Sequence, residues 1–138
     1  MKIYFAGSMK GGGSGRDIYA DLIGHLKKHG DVLTEHVGDN VTDPFGERDL
    51  PSEFIHDRDV EWLLSADVVV ADVSNPSLGV GYELGRAVEH NKKILCLFKP
   101  FGEKKLSSMI SGSKGVVVKE YFGLDEAKCA IDDFFRSL

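Results

Sequence analysis

Two carboxylates stand out in this sequence because their surroundings suit different steps of one reaction. Asp59 falls between Ile55 and Leu63 on the apolar arc of a predicted helix, at about 100° per residue. A carboxylate on a core-facing arc is costly unless it is paired, protonated or opened to a cleft. Burial would favour the protonated form and make Asp59 a candidate general acid, whereas pairing with an arginine or capping a loop would make it structural.

Glu83 is the second carboxylate, and the pattern places it in the first turn of a helix that starts near Val80. The positive end of the helix dipole favours an ionised carboxylate there, which is the form that a nucleophile needs. The alternative is a glutamate that only compensates the dipole. One ionised and one protonated carboxyl group are the pair that glycoside hydrolysis uses. Tyr4, on the first predicted strand, would face the same crevice and hydrogen-bond one of them, unless it is a packed core aromatic.

Two glycine-rich segments, residues 7–15 and 74–81, follow predicted strands. The first lacks the ending of a phosphate-binding P-loop and the spacing of a dinucleotide motif, so a flexible turn is the alternative. In the second, Ser77 and Gly79 precede a helix, where a hydroxyl group and free N–H groups can meet an anion. The alternative for Ser77 is ordinary N-capping.

Other catalytic arrangements are absent from the sequence pattern. His36 and His56 could contact a base or a sugar, although lone histidines are more often structural. No His, Cys and Asp cluster has metal-ligand spacing, so we expect no metal site and no cofactor. No Gly-x-Ser-x-Gly elbow supports a Ser-His-Asp triad.

The elements that must position these residues alternate along the chain. Strands are predicted at residues 3–6, 32–34, 67–73, 94–98 and 115–118, and helices at 17–29, 52–65, 80–90 and 124–135. This alternation predicts an α/β fold with a doubly wound five-stranded parallel sheet, in the Rossmann or flavodoxin-like order 2-1-3-4-5. The loops after strands 1 and 3 would then open a binding crevice at the carboxyl edge. The polar segment 38–52 is long for a compact domain and is interpreted as a lid or binding loop.

Composition narrows the classes of partner. The 138 residues predict one domain over 1–138, and 17 basic against 22 acidic side chains give a net charge of −5. That charge disfavours nucleic acid and anionic membranes, although a small anion can bind a helix N-terminus. Two cysteines, Cys96 and Cys129, are too few for a disulfide framework, and no run is long enough for a membrane helix. We therefore expect a reducing compartment, the cytoplasm or the nucleus.

Five segments carry a resemblance to a known family, over residues 4 to about 109. They are residues 4–8, 34–37, 59–63, 66–71 and 76–87. Together they resemble the nucleoside 2-deoxyribosyltransferase superfamily, and within it the 2'-deoxynucleoside 5'-monophosphate N-glycosidases. The stretch Gly-Tyr-Glu-Leu-Gly-Arg-Ala at 81–87 is specific in this context, whereas the glycine run is not.

The resemblance implies hydrolysis of the N-glycosidic bond of a small-molecule deoxynucleotide through a covalent glycosyl-enzyme. It makes Glu83 the nucleophile at C1', Asp59 the acid that assists departure of the base, and Tyr4 the residue that orients the nucleophile. It assigns the 5'-phosphate to Ser77 and Gly79. The remaining substrate-binding residues that we expect are Gly7, Ser8, Met9, Lys10, Gly11, Gly12, Gly13, His36, Ser107, Ser108 and Met109.

The resemblance also implies a homodimer in which Ser107 reaches the phosphate of the neighbouring subunit. Three alternatives remain open: a nucleoside deoxyribosyltransferase, a glycosidase for CMP-type ribonucleotides, and a non-catalytic nucleotide sensor. A phosphate site at Ser77 and Gly79 argues against the transferase, because transferases of this superfamily bind a free 5'-hydroxyl. The segment 38–52 varies in the family, so no base-contacting residue is assigned there.

Overall fold

The computed structural model describes residues 1–8, 18–38 and 49–138. Its strands are β1 (Lys2–Ala6), β2 (Asp31–Val32), β3 (Val68–Asp72), β4 (Lys93–Phe98) and β5 (Val117–Glu120). Its α-helices are α1 (Tyr19–Leu26), α2 (Ser52–Ser65), α3 (Leu78–Glu89), α4 (Ser108–Ser111) and α5 (Leu124–Arg136). A 3-10 helix covers Glu35–Gly38. The expected substrate residues Met9, Lys10, Gly11, Gly12 and Gly13, and most of the segment 38–52, lie outside the described residues.

The five strands form one parallel sheet in the order β2-β1-β3-β4-β5, which confirms the predicted fold class and strand order. β3 lies at its centre, and all five of its residues are buried. Its valines suit this position because β-branched side chains pack well on a pleated surface and both faces are covered. Tyr4 on β1 pairs in register with Val69 on β3, so the two predicted crevice strands are neighbours.

Helices cover both faces of the sheet, and alternate strand residues serve separate cores. Ile3 and Phe5 pack with α1 and α5, whereas Tyr4 and Ala6 pack with α2 and α3. This follows from the two-residue period of a strand, which points successive side chains to opposite faces. Tyr4 therefore faces the same layer as the helices that carry Asp59 and Glu83.

Some element boundaries differ from the sequence predictions. α2 spans the predicted residues, but α3 begins at Leu78 rather than near Val80, with the Ser77 side chain as its N-cap. β2 ends at Val32, and β5 begins at Val117 rather than Gly115. β5 is an exposed edge strand whose limits follow its pairing with β4 rather than an apolar run of its own. The 3-10 helix and α4 are too short to show a period in sequence.

Two further features bear on the sequence analysis. No helix among the described residues is long and apolar enough to cross a membrane. Cys96 is buried, which raises the pKa of its thiol to about 12, and Cys129 is exposed on α5.

Candidate active site

A cavity of about 530 Å³ opens at the carboxyl ends of β1 and β3, where the strand order reverses. The three expected catalytic residues, Tyr4, Asp59 and Glu83, all line it. The expected substrate-binding residues that also line it are Gly7, Ser8, His36, Ser77 and Gly79. The structure thus brings together, in one cavity, residues from both predicted crevice loops and from α2 and α3.

Glu83 is the most strongly perturbed carboxyl group of the cavity. It is largely buried, and this desolvation raises its pKa from 4.5 to about 7. The negative charge of Asp59 acts in the same direction, whereas a hydrogen bond from Tyr4 opposes the rise. At neutral pH the group is therefore close to the midpoint of its titration, so both its protonated and its ionised forms are accessible.

The predicted effect of the helix dipole on Glu83 is wrong. α3 begins at Leu78, which makes Glu83 its sixth residue and places it in the second turn. Because the dipole acts mainly within the first turn, it does not offset the cost of burying the charge. The carboxylate is instead held by a specific hydrogen-bond donor.

That donor is Tyr4, whose Oη donates to Glu83 Oε1 over 2.5 Å. Tyr4 is 1% exposed, and its burial together with the nearby Glu83 charge raises the pKa of the phenol above its ordinary value. The hydroxyl therefore stays protonated and donates when Glu83 ionises. The predicted contact between Tyr4 and one of the carboxylates is confirmed.

Asp59 has an environment different from the one that its sequence position predicts. Its side chain is 23% exposed and opens to the cavity, and Arg58 Nε donates to Asp59 Oδ1 over 2.9 Å. The Arg58 guanidinium lies 4.9 Å from the centre of the Trp62 ring. Asp59 is thus paired with an arginine, one of the two structural alternatives, while it also faces the cleft. The raised pKa expected for Asp59 is found instead at Glu83, where desolvation is its largest cause.

The two carboxylates act on each other, because the charge of Asp59 contributes to the raised pKa of Glu83. They lie on different helices, α2 and α3, yet they line the same cavity. A substrate in this space would have one carboxyl group from each helix beside it. This is the arrangement on which the proposed chemistry depends.

Ser77 and Gly79 form the part of the cavity at the start of α3. Ser77 Oγ accepts a hydrogen bond from Val80 N over 3.3 Å, so the ordinary N-cap role is present. Gly79 and Val80 of this first turn also line the cavity. An anion there would meet the positive end of a 12-residue helix.

Gly7 has a steric reason to be glycine. A Cβ at this position would come within 2.6 Å of the ring of buried Tyr19, so no side chain fits unless that ring moves. Ser8 follows and is 4% exposed at the cavity wall. The first loop therefore leaves β1 in close contact with α1 before the residues that lie outside the described ranges.

The two histidines differ in position. His36 lines the cavity, with its ring centre 5.7 Å from that of Trp62. His56 is exposed, and its Nδ1 and Nε2 lie 2.9 Å from Asp57 Oδ1 and 2.9 Å from Tyr82 Oη. Only His36 remains a candidate for contact with a base.

Ser107, Ser108 and Met109 do not reach the Glu83 cavity within one chain. Ser107 caps α4 by accepting from Met109 N over 3.3 Å. Ser107 and Met109 line a second cavity of about 370 Å³, which shares Ser77 and Leu78 with the first, and Ser108 lines neither cavity. Any role for these residues at the substrate would need another subunit or a movement of α4.

Sequence reasoning missed two supporting residues. Thr34 is 1% exposed, and its Oγ1 accepts from Phe5 N over 2.8 Å and donates to Phe5 O over 2.7 Å. Thr34 also lines the cavity. Nothing in the neighbouring sequence indicates that its side chain hydrogen-bonds the backbone of another strand. Arg58 could have been found, since it adjoins Asp59 and a partly buried carboxylate needs a partner.

The sequence analysis predicted no metal site because no cluster has metal-ligand spacing, and it missed one group of possible metal ligands. His25, His29 and Asp132 come together on the other face of the sheet, with ligand atoms within 4.8 Å of one another. Sequence spacing cannot show this cluster because Asp132 lies 103 residues beyond His29.

The fold and cavity define a doubly wound α/β protein with paired carboxylates at its switch point. Residues 3–134 match the Nucleoside 2-deoxyribosyltransferase family, and the chain belongs to that family. It is 48% identical over 141 residues to a protein of Tetraodon nigroviridis named 5-hydroxymethyl-dUMP N-hydrolase, with 99% of each chain covered. A Danio rerio protein of the same name is 48% identical, over 100% of this chain and 98% of that protein.

A solved structure shares the fold. The CMP N-glycosidase of Clostridium botulinum superposes with a TM-score of 0.69, over 97% of this chain and 99% of that one. Its sequence identity is 18%, so the likeness concerns the architecture alone.

Proposed function

We propose that this chain hydrolyses the N-glycosidic bond of 2'-deoxynucleoside 5'-monophosphates, releasing the free base and 2-deoxyribose 5-phosphate. The observation that carries the proposal is the hydrogen bond from Tyr4 to a largely buried Glu83, in a cavity that Asp59 also lines. The names of the relatives in Tetraodon nigroviridis and Danio rerio, both 5-hydroxymethyl-dUMP N-hydrolases, support a deoxynucleotide substrate.

In the first step, the Glu83 carboxylate attacks C1' of the deoxyribose. A bond forms between C1' and a carboxylate oxygen, and the bond from C1' to the base nitrogen breaks, with its electron pair leaving on the base. Tyr4 holds Oε1, which fixes the orientation of the attacking group. A 2-deoxy sugar assists, because it lacks the electron-withdrawing 2'-hydroxyl that would destabilise an oxocarbenium-like transition state.

In the second step, water attacks C1' of the glycosyl-enzyme. The new bond to the water oxygen replaces the bond to Glu83, which leaves as a carboxylate, and the water loses a proton. This retaining, two-carboxylate scheme needs an acid for the departing base and a base for the incoming water.

Asp59 is the proposed proton carrier for both steps. It gives a proton to the base nitrogen in the first step and takes one from water in the second. The water of the second step thus returns the proton that the base took in the first, so the cycle consumes no net proton.

The 5'-phosphate is proposed to bind at the first turn of α3, beside Ser77 and Gly79. The N-terminal N–H groups of the helix provide the donors, so the net charge of −5 does not prevent anion binding. Ser107 is proposed to complete this site from a second subunit, because the Ser107 cavity borders the Ser77 side of the catalytic cavity.

Base release from a small panel of substrates tests the assignment. We expect the protein to release the base from 5-hydroxymethyl-dUMP or dGMP in water alone. Transfer of deoxyribose from deoxyguanosine to added adenine would support the transferase, and release from CMP at a similar rate would support the ribonucleotide glycosidase. Tight dNMP binding without any base release would leave only the sensor and contradict the proposal.

A further inference from the structure

A second cluster of chemically active side chains lies on the face of the sheet opposite Glu83. His25 belongs to α1, His29 lies in the turn that follows it, and Asp132 belongs to α5. Both helices pack on the core formed by residues such as Ile3 and Phe5, whereas Glu83 lies on the other layer. The cluster is therefore separate from the proposed catalytic cavity.

The donor atoms of the cluster converge on one point. His25 Nε2 lies 2.7 Å and His29 Nε2 lies 2.8 Å from the same oxygen, Asp132 Oδ1. Two imidazole nitrogens thus meet at one carboxylate oxygen. All three donors lie within 4.8 Å of one another.

The backbone and a ring contact hold the two imidazoles in place. The turn continues past α1 through hydrogen bonds from Lys28 N to His25 O and from His29 N to Leu26 O. His25 and His29 thus lie one turn apart on one side, the i, i+4 spacing with which two helical histidines bind zinc. The His29 ring also stacks on Phe135, with ring centres 4.4 Å apart.

We propose that His25, His29 and Asp132 bind a divalent transition-metal ion of the zinc class. Two imidazoles and one carboxylate suit zinc, cobalt and nickel, whereas magnesium and calcium prefer oxygen ligands. Ligand atoms about 2.1 Å from a tetrahedral zinc ion lie about 3.4 Å apart. The nitrogens of His25 and His29, now 2.7 and 2.8 Å from Asp132 Oδ1, would each move away from that oxygen by roughly 0.6 Å. Water would fill the remaining coordination positions.

Such an ion would join the end of α1 to α5. Ions that bind only the folded state stabilise it by mass action, so occupancy raises the unfolding temperature. Because Glu83 lies on the other layer, occupancy leaves base release unchanged. This combination distinguishes the proposed site from an inhibitory metal at the catalytic carboxylates.

Zinc titration of the chelator-stripped full-length protein tests the proposal. We expect one zinc ion per chain by calorimetry, a raised unfolding temperature, and affinity at least about tenfold lower in His29→Gln and Asp132→Asn. The matched control is His56→Gln, which breaks the exposed His56–Asp57 pair and should retain full affinity. Cys129→Ser should also retain it.

A measurement on the unaltered protein covers the case in which a variant fails to fold. Of the five histidines, zinc should shift the side-chain NMR signals of His25 and His29 and leave those of His36, His56 and His90 in place. No stoichiometric uptake, uptake that survives both cluster variants, or uptake that depends on Cys129 would each overturn the site. The cluster would then be a hydrogen-bonded bridge between α1 and α5 only.

Discussion

At the residue scale, two opposing influences set the reactivity of Glu83. Burial and the Asp59 charge raise its pKa, while the hydrogen bond from Tyr4 lowers it, and the result is a value of about 7. Attack on C1' requires the carboxylate, so kcat/KM should rise as pH increases through about 7 and then level off. In the proposed mechanism only the carboxylate form above this pKa attacks, and protonation below it stops the reaction.

Two substitutions should move this pH profile in opposite directions. Tyr4→Phe removes the hydrogen bond that lowers the pKa, so the rise should shift upward by about one pH unit. Asp59→Asn removes a charge that raises the pKa, so the rise should shift to lower pH, while the loss of the proton carrier reduces kcat by at least about 10²-fold. The measurement is kcat/KM against pH for base release.

The substrate phosphate adds its own titration to the pH profile, and this contribution is the same for the wild type, Tyr4→Phe and Asp59→Asn. The wild-type profile is therefore the control for it. Superimposable profiles for the wild type and both variants would show that Glu83 is not the group that limits the rate at low pH.

The sequence singled out Tyr4, Asp59 and Glu83, and the structure places all three at one cavity, but the raised pKa of Glu83 was not predicted. The apolar surroundings of Asp59 suggested burial, yet its side chain is 23% exposed, lines the cavity and pairs with Arg58. Glu83 is instead the desolvated carboxyl group, and it accepts a hydrogen bond from the buried Tyr4. Burial depends on how α2 and α3 pack together, and a single-helix pattern carries no information about that.

At the scale of elements, Thr34 compensates for the early end of β2. β2 stops at Val32, although Leu33 N still donates to Ile3 O over 2.9 Å. After Leu33, the Thr34 side chain takes over from backbone pairing, because its hydroxyl hydrogen-bonds both Phe5 N and Phe5 O. This links the segment that carries His36 to the strand that carries Tyr4.

Thr34→Val keeps the shape of this side chain and removes its hydroxyl, leaving two buried backbone groups of Phe5 without their partner. We expect the free energy of unfolding to fall by about 1–3 kcal/mol in urea denaturation. Ser65→Ala, which removes an exposed hydrogen bond to Trp62 O, is the control and should change it by less than about 0.5 kcal/mol. Equal stability of the two variants would mean that Thr34 does not hold this segment.

The elements themselves were largely predictable. α2 has the predicted limits because its apolar residues keep a helical period, and β3 was evident from its run of valines. The limits of β5 were wrong because Lys119 and Glu120 lie on an exposed edge strand, where pairing with β4 rather than apolar alternation sets the ends. Long-range pairing of this kind has no local signal.

At the scale of the whole molecule, the proposed dimer accounts for Ser107. Its cavity adjoins the Ser77 side of the catalytic cavity, and both Leu78 and Met109 there are strongly exposed, at 97% and 83%. Apolar side chains on this surface suit contact with a second copy of the chain. Ser107 would then hydrogen-bond the 5'-phosphate that is bound at the first turn of α3 in the other subunit.

A mixing experiment tests this sharing. We expect Ser107→Ala to raise KM with little change in kcat, and Glu83→Gln to be inactive. In an equal mixture of subunits, about a quarter of all sites should combine an intact Glu83 with an intact Ser107 from the other chain and regain the low KM. A mixture without any low-KM component, or a monomer in sedimentation, would show that Ser107 is not donated across an interface.

The central claim is that Glu83 forms the bond to C1', and the rate of base release by Glu83→Gln tests it most directly. Glutamine keeps the shape and still accepts from Tyr4, but it is not a nucleophile. With a dNMP at pH 8, we expect the rate to fall by at least about 10³-fold, while exposed Glu89→Gln retains full activity. A Glu83→Gln rate within tenfold of the wild type would contradict the account.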